Sequence, residues 1–232
     1  MTSDTGAADQ PASRRRGRPA KPKPVSDHHP GLRMETDLSG LTPTARRLLE
    51  SARVILVEQG IESLTLESVA LAAHEDRGAI AYHFGSKAGL IATLFDSLVH
   101  DAYVNLMEDV LAVPPGRERL RRYLTGLRGV LQDVDAWRAF YELAPYALRD
   151  SQLRPRMAAL YEWYRELTLR TCGLGESRAQ MDDEQMALAT VIVAALDGMA
   201  FQYALDPEAF DLRRPFDVLY RCVTALLAAE AT

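Results

Sequence analysis

Residues 65–87, TLESVALAAHEDRGAIAYHFGSK, predict two short helices joined by a four-residue turn. The hydroxyl of Thr65 can cap the first helix, which brings Leu66, Val69 and Ala70 to one side at helical spacing. This layout is typical of a helix-turn-helix, in which the second helix enters the major groove of DNA. The stretch therefore favours a regulatory function over catalysis.

The second short helix is expected over residues 77–84, after a possible cap at Asp76. Ile80 and Phe84 lie one turn apart and point inward, while a cation, an aromatic ring and small residues face outward. Lys87 opens the next helix, where backbone N–H groups and an ammonium together could hold a phosphate. The predicted DNA-binding residues here are Thr65, Arg77, Gly78, Ala79, Ala81, Tyr82, His83 and Lys87.

The stretch from about residue 42 to residue 98 resembles the TetR family of bacterial one-component repressors. The resemblance rests on an amphipathic helix that ends at a glycine, the helix-turn-helix, and a Phe-x-x-Lys sequence after it. The positions that carry it are residues 52–56, Gly60, Thr65, Ala70, Gly78, Ile80, His83, Phe84, Ser86 and Lys87. It implies an all-α homodimer that represses transcription from a palindromic operator until a small, hydrophobic molecule releases it.

The turn departs from the family pattern. His74-Glu75-Asp76 replaces the usual Gly-Val-Ser, and Ala81 stands where a phosphate-contacting tyrosine is usual. A histidine at a position that requires positive φ is tolerable, and Asp76 can still cap the helix, but two carboxylates near DNA are repelled by phosphate. The alternative is a ligand-binding or protein-interaction module of the same fold with weakened DNA binding.

Residues 1–36 predict a disordered basic tail, because polar residues, proline and charge dominate the stretch. The tail holds seven cations and four anions, net +3, against twenty and twenty-eight, net −8, in residues 37–232. The sequence Arg16-Gly17-Arg18-Pro19 resembles an AT-hook, whose arginines enter a narrow minor groove. We therefore expect DNA contacts from Arg14, Arg15, Arg16 and Arg18, the alternative being a merely solubilising tail.

The rest of the chain predicts helices and no strand. A first helix begins at Thr42-Pro43 and ends at Gly60, and further helices are expected near residues 87–112, 117–132, 135–149, 153–172, 183–205 and 213–229, which makes nine in all. Pro145 should bend or break the sixth. This division predicts a DNA-binding domain over residues 37–88 and a helical ligand-binding and dimerisation domain over residues 89–232.

The central helices are rich in aromatic residues, which could line an apolar ligand pocket or simply fill the core. The candidates are Trp137, Phe140, Tyr141, Tyr146, Met157, Trp163 and Tyr164.

The eighth helix carries small apolar residues on which another helix could pack, either a second copy of the chain or an internal neighbour. The predicted dimer residues are Val191, Ala194, Ala195, Gly198 and Met199. The role of Asp197 is open between a polar rim residue, a cap for a neighbouring helix and a ligand contact.

No constellation of residues suggests catalysis, and we expect neither a cofactor nor a metal. The acids at 182–184 suit a helix N-terminus, and the two cysteines fit a reducing cytoplasm. No apolar run reaches the roughly 18 residues that span a bilayer, so no membrane partner is expected. The expected partners are operator DNA, a second copy of the chain and a small effector of unknown identity.

Overall fold

The computed structural model describes residues 38–230, and every regular element in that range is helical. Nine α-helices follow one another, with two short 3₁₀ turns at Ile61–Ser63 and Arg178–Gln180. The helices are α1 Pro43–Gln59, α2 Leu66–Ala72, α3 Arg77–Phe84, α4 Lys87–Leu111, α5 Arg117–Leu131, α6 Val134–Ala147, α7 Leu153–Cys172, α8 Asp183–Leu205 and α9 Arg213–Glu230. The predicted all-α fold is confirmed, and the predicted helix ends agree to within two residues.

Local capping explains where several helices begin. The Ala45 N–H donates to Thr42 Oγ1 at 3.1 Å, and Pro43 occupies the first turn of α1, where its missing N–H has no helical partner. At α8 the Gln185 N–H donates to Asp182 Oδ1 at 2.8 Å, and the Asp182 N–H donates back to Gln185 Oε1 at 3.1 Å. This reciprocal capping box gives the acidic stretch the structural role expected of it.

Pro145 does not break α6. The helix continues past it to Ala147, so Pro145 lies in the last turn. A proline there removes one hydrogen bond near a helix end, where few further bonds depend on it. Of the two expected outcomes, a bend or a break, the break is excluded, and the bend stays a prediction.

Helices α1–α3 and the start of α4 form an N-terminal head that contains the predicted helix-turn-helix. Helices α2 and α3 are too short to be stable alone, and their apolar residues pack against α1 and α4. Val69 of α2 and Ile80 of α3 are fully buried, as the spacing predicts. Because α4 has 25 residues, it also runs on into the helical body formed with α5–α9.

The body is joined by polar contacts as well as apolar packing. Arg156 of α7 forms a salt bridge with Asp96 of α4 at 2.8 Å, and both side chains are largely buried. The hydroxyls of Tyr123 in α5 and Thr168 in α7 lie 3.3 Å apart in the core. These contacts tie three helices of the body together.

Helix α8 is more apolar than the sequence reading allowed. By length and composition it could cross a membrane, with a mean hydropathy of 1.6, so the prediction that no segment reaches that length was wrong. A single helix of this kind is weak evidence for a membrane, since core helices of other proteins meet the same criterion.

Candidate DNA-binding surface and ligand site

The outer face of α3 carries the residues expected to meet DNA. Arg77, Gly78 and Ala81 are exposed, and the Tyr82 side chain is 73% exposed. Ile80 anchors the opposite face because it is fully buried. The helix thus presents one cation and one aromatic ring to solvent.

The remaining predicted DNA-binding residues are less open. Ala79 is partly buried against the core, and His83 is partly buried with its ring edge-on to Tyr82 at 4.9 Å. Thr65 is exposed, but its hydroxyl accepts the Ser68 N–H at 3.0 Å and caps α2. Lys87 is partly buried as the first residue of α4.

One of the two carboxylates in the turn between α2 and α3 is compensated by an arginine of α1. Glu75 forms a salt bridge with Arg47 of α1, and the hydrogen bond from Arg47 lowers the pKa of the Glu75 carboxyl. His74 adopts φ 54°, the positive value expected at this position. Asp76 precedes α3, but its side chain accepts no N–H from the helix, so the expected side-chain cap was wrong. The Ala79 N–H is bonded to the Asp76 backbone carbonyl instead, at 2.8 Å.

Gly89 is a positioning residue that the sequence reading missed. A Cβ atom there would lie 2.0 Å from the backbone oxygen of Phe84, closer than any real contact. The end of α3 therefore approaches α4 through the space that Gly89 leaves. A glycine within the first turn of a predicted helix was the available signal.

The four tail arginines, Arg14, Arg15, Arg16 and Arg18, lie outside the described residues, and their contribution to DNA binding stays a prediction.

Five of the seven predicted pocket residues fall into two groups of ring contacts, and Tyr146 and Met157 belong to neither. In the first, Trp137 and Tyr141 of α6 lie 5.6 Å apart, and Tyr141 meets Phe201 of α8 edge-on at 5.3 Å. Phe140 belongs to this group. In the second, Trp163 and Tyr164 of α7 pack on Tyr103 of α4, at 5.7 and 4.8 Å.

The two groups are not equally open. Trp137, Met157, Trp163 and Tyr164 are buried, whereas Phe140, Tyr141 and Tyr146 are partly buried. Pocket lining by the buried rings stays a prediction, with core packing as its alternative.

Asp197 lies between the two groups. The Tyr161 hydroxyl donates to Asp197 Oδ2 at 2.7 Å, and the Tyr141 hydroxyl donates to the Asp197 backbone carbonyl at 3.0 Å. Burial raises the pKa of the Asp197 carboxyl, and the bond from Tyr161 offsets part of that rise. Among residues 38–230 the carboxylate has no salt-bridge partner and caps no neighbouring helix.

A cavity of about 320 Å³ opens beside the first ring group, at the junction of head and body. It is lined by Val57 of α1, by Arg138, Tyr141 and Glu142 of α6, and by Phe201, Ala204 and Leu205 of α8. Of the predicted pocket residues, Tyr141 lines this cavity. Glu142 also accepts the Ile61 N–H at 3.2 Å, directly after α1. The cavity thus touches both domains of the protein.

The predicted dimer residues divide between two sides of α8. Val191 is 67% exposed and Ala194 is exposed, while Ala195 and Gly198 are partly buried. Met199 is buried in the core of its own protomer, so it does not belong to this outer surface. Leu205 of α8 and Val218 and Leu226 of α9 are also exposed.

No group of three or more His, Cys, Asp or Glu side chains in the described part of the chain is placed to hold a metal ion.

Two family models match the chain. Residues 48–94 match the bacterial regulatory proteins of the tetR family, and residues 115–228 match the C-terminal region of BetI-type transcriptional repressors. The first match covers the helix-turn-helix and the start of α4, and the second covers most of the body.

Individual proteins agree with these matches. The HTH-type transcriptional regulator TtgR of Pseudomonas putida is 26% identical over 178 residues, which cover 73% of this chain and 84% of that protein. A structure from Pseudomonas aeruginosa PAO1, described as a transcriptional regulator, has a TM-score of 0.67 at 23% identity, over 84% of this chain and 96% of that one. A regulator from Saccharomonospora viridis, solved in complex with choline, has a TM-score of 0.59 at 21% identity, over 79% and 95%.

The exposed reading face of α3, the helical body behind it and both family matches lead to one conclusion. Proteins of this kind are DNA-binding regulators and not enzymes. The chain belongs to the TetR family of bacterial transcriptional regulators.

Proposed function

We propose that the protein is a cytoplasmic homodimeric repressor, which leaves a palindromic operator when a small molecule binds its helical body. The observation that carries the proposal is the outer face of α3, where Arg77 and Tyr82 are exposed while Ile80 is fully buried. A helix held in this way can enter the major groove without rearranging. The match of the body to BetI-type repressors favours repression over activation.

The DNA contacts are assigned by position on the head. Arg77, Gly78, Ala81 and Tyr82 face the groove, and Thr65, His83 and Lys87 lie at the edges of that face. The salt bridge between Arg47 and Glu75 supports binding, because it compensates one of the two carboxylates that would otherwise repel phosphate. It also means that Arg47 is engaged within the protein, so the local attraction for DNA depends on fewer cations.

A second copy of the chain is the proposed cover for α8 and α9. Val191 and Leu205 are 67% and 70% exposed near the two ends of α8, and burying such large apolar side chains against a second copy is favourable. A two-fold interface would pair the two copies of α8 and α9 and set two reading helices about one turn of DNA apart. The apolar character of α8 is then explained by a protein partner.

Ligand release is proposed to act through the cavity at the junction. The cavity is bounded by Val57 of the head and by α6 and α8 of the body, and Glu142 at its wall holds the Ile61 N–H at 3.2 Å. A ligand that favours a different placement of α6 would shift the head through this contact. A preference of about 1.4 kcal/mol for one arrangement is enough to change operator affinity tenfold.

Selection from random duplex DNA on the full chain tests the proposal, with sedimentation to measure its oligomeric state. We expect an enriched palindrome and a dimer. Val191→Asp should yield monomers that bind the palindrome poorly, whereas Thr125→Asp, on an exposed site of α5, should leave both properties unchanged. The absence of any enriched site would favour the alternative, a ligand-binding or interaction module of this fold.

A further inference from the structure

Asp197 is an acid that bonds to tyrosine side chains and that forms no salt bridge with any residue the structure describes. The carboxylate lies 2.7 Å from the Tyr161 hydroxyl, and in the described part of the chain it has no salt-bridge partner. Buried carboxylates in proteins are normally paired with a cation, because removing the charge from water is costly. A single neutral hydroxyl leaves this carboxylate only partly compensated.

Tyr141 and Tyr161 bond to Asp197, and two further tyrosines, Tyr164 and Tyr103, continue the ring contacts behind Tyr161. Tyr141 comes from α6, Tyr161 and Tyr164 from α7, and Tyr103 from α4, with Tyr161 and Tyr164 in edge-on contact at 6.0 Å. The faces of aromatic rings attract cations, and cages of such rings recognise quaternary ammonium groups. The rings and the carboxylate therefore both favour a positively charged ligand.

The junction cavity lies next to this cluster, and Tyr141 belongs to both, although Asp197 itself is not part of the cavity lining. Asp197, Phe201 and Ala204 occupy one face of α8, since they are spaced by four and three residues, and the last two line the cavity. Tyr141 joins the two places, because its ring lines the cavity and its hydroxyl bonds to the Asp197 carbonyl. Asp197 is itself only partly buried.

The charges at the cavity wall also favour a cation over an anion. Glu142 adds a second carboxylate. Arg138 is the one cation among the lining residues, and its guanidinium is already paired at 3.6 Å with Asp135, which does not line the cavity. An anionic ligand would meet Asp197 and Glu142 with little compensation. A cation would be attracted by both.

We propose that Asp197 and the tyrosines around it bind the positively charged group of an organic cation whose apolar part occupies the junction cavity. The proposal rests on the regulator function above and names the chemical class of its effector. The competing explanation is structural: Asp197 would be a polar anchor between α7 and α8 and would favour no ligand charge.

The two tryptophans of the chain, Trp137 and Trp163, belong to the ring groups on either side of Asp197, so intrinsic fluorescence reports on the site. The test titrates the full-length protein with benzyltrimethylammonium and with neopentylbenzene, in which a carbon replaces the charged nitrogen. We expect the cation to bind at least about tenfold more tightly than its neutral isostere, as a charged contact in a partly buried site should. Equal affinities overturn the proposal without the need for any variant.

Two variants assign the effect to the carboxylate. Asp197→Asn should weaken cation binding by about tenfold or more and leave the neutral isostere unaffected. Asp183→Asn, which removes the same charge from an exposed site on the same helix, should change neither affinity. Unchanged cation binding in a folded Asp197→Asn protein overturns the proposal, as does an equal loss for both probes.

Duplex binding by the same proteins without a probe separates this inference from the proposed function. If the unaltered chain binds no duplex while the cation preference holds, the regulator function fails and the effector site stands. If duplex binding is intact and the cation preference is absent, only the effector class is wrong.

Discussion

Glu75 in the DNA-binding head and Asp197 in the helical body have opposite electrostatic surroundings. Glu75 is paired with Arg47, which lowers the pKa of its carboxyl. Asp197 receives one tyrosine hydroxyl, and burial raises the pKa of its carboxyl. The first carboxylate is satisfied within the protein and stabilises a turn. The second has a neutral hydroxyl as its hydrogen-bond donor.

The two regions also differ in how far apart along the chain their contacting residues lie. In the head, Thr65 and Ser68 cap each other across three residues, and α3 begins and ends within an eight-residue stretch. In the body, Asp197 is contacted from Tyr141 and Tyr161, which are 56 and 36 residues away along the chain. The head is a surface built from local contacts, whereas the body's candidate site depends on helices brought together by folding.

The largest expected effect tests the body. Asp96→Ala should lower the free energy of unfolding by about 3 kcal/mol, because it removes the carboxylate of a largely buried salt bridge. Urea denaturation at one fixed protein concentration measures this, since dimerisation makes stability depend on concentration. Glu118→Ala is the matched control, because its pair with Arg122 is exposed and should be worth about 0–1 kcal/mol. Equal losses would mean that the Asp96 pair adds nothing through burial.

The next effect tests whether α3 is the reading element. Arg77→Ala should weaken operator binding by about 1–3 kcal/mol, or roughly 5- to 150-fold, through loss of a base or phosphate contact. Fluorescence anisotropy on the selected duplex measures it, and thermal unfolding should be unchanged because Arg77 is exposed. Arg122→Ala, an exposed arginine in α5, is the control. Full affinity in Arg77→Ala would move the reading surface away from α3.

A smaller effect probes local capping in the head. Thr65→Ala should cost about 1 kcal/mol of stability, since the Ser68 N–H loses its acceptor at the start of α2. Thr65→Ser keeps the hydroxyl and should retain most of that stability. Chemical denaturation of the two variants gives the comparison. A loss as large in Thr65→Ser would indicate that the methyl group matters more than the cap.

The smallest effect concerns the paired carboxylate. Glu75→Gln should raise operator affinity a few-fold, because it removes a negative charge near phosphate and frees Arg47. The slope of affinity against salt should steepen by about one if Arg47 then contacts a phosphate. Glu184→Gln, which removes an exposed acid from α8, should leave both quantities unchanged. A fall in affinity would show that the pair with Arg47 is needed to hold the turn.

Local signals predicted the helices well because capping and periodicity act over a few residues. Thr42-Pro43 and Gly60 mark the ends of α1, and Asp182 marks the start of α8. The same signals misjudged Asp76, whose type suits a cap although its side chain makes no cap bond here. The residue type decides whether a side chain can accept a hydrogen bond, while the course of the backbone decides whether an N–H group lies within reach.

The faces of α8 could not be read from its sequence. Apolar residues occur on all sides of the helix, so periodicity singles out no buried face. Val191 is exposed and Met199 is buried, although both belong to the same small apolar surface by spacing. Packing of α8 against α7 and α6 makes that distinction.

The sequence by itself determined the all-α fold, the helix-turn-helix and the identity of its outward residues. These follow from spacing within single helices, where the 3.6-residue period places each side chain. Only the tertiary structure decided that Arg47 compensates Glu75, that Gly89 admits the end of α3, and that Asp197 bonds to Tyr141 and Tyr161 and forms no salt bridge within residues 38–230. Each of these depends on elements distant in the chain, and their meeting is set by how whole helices pack.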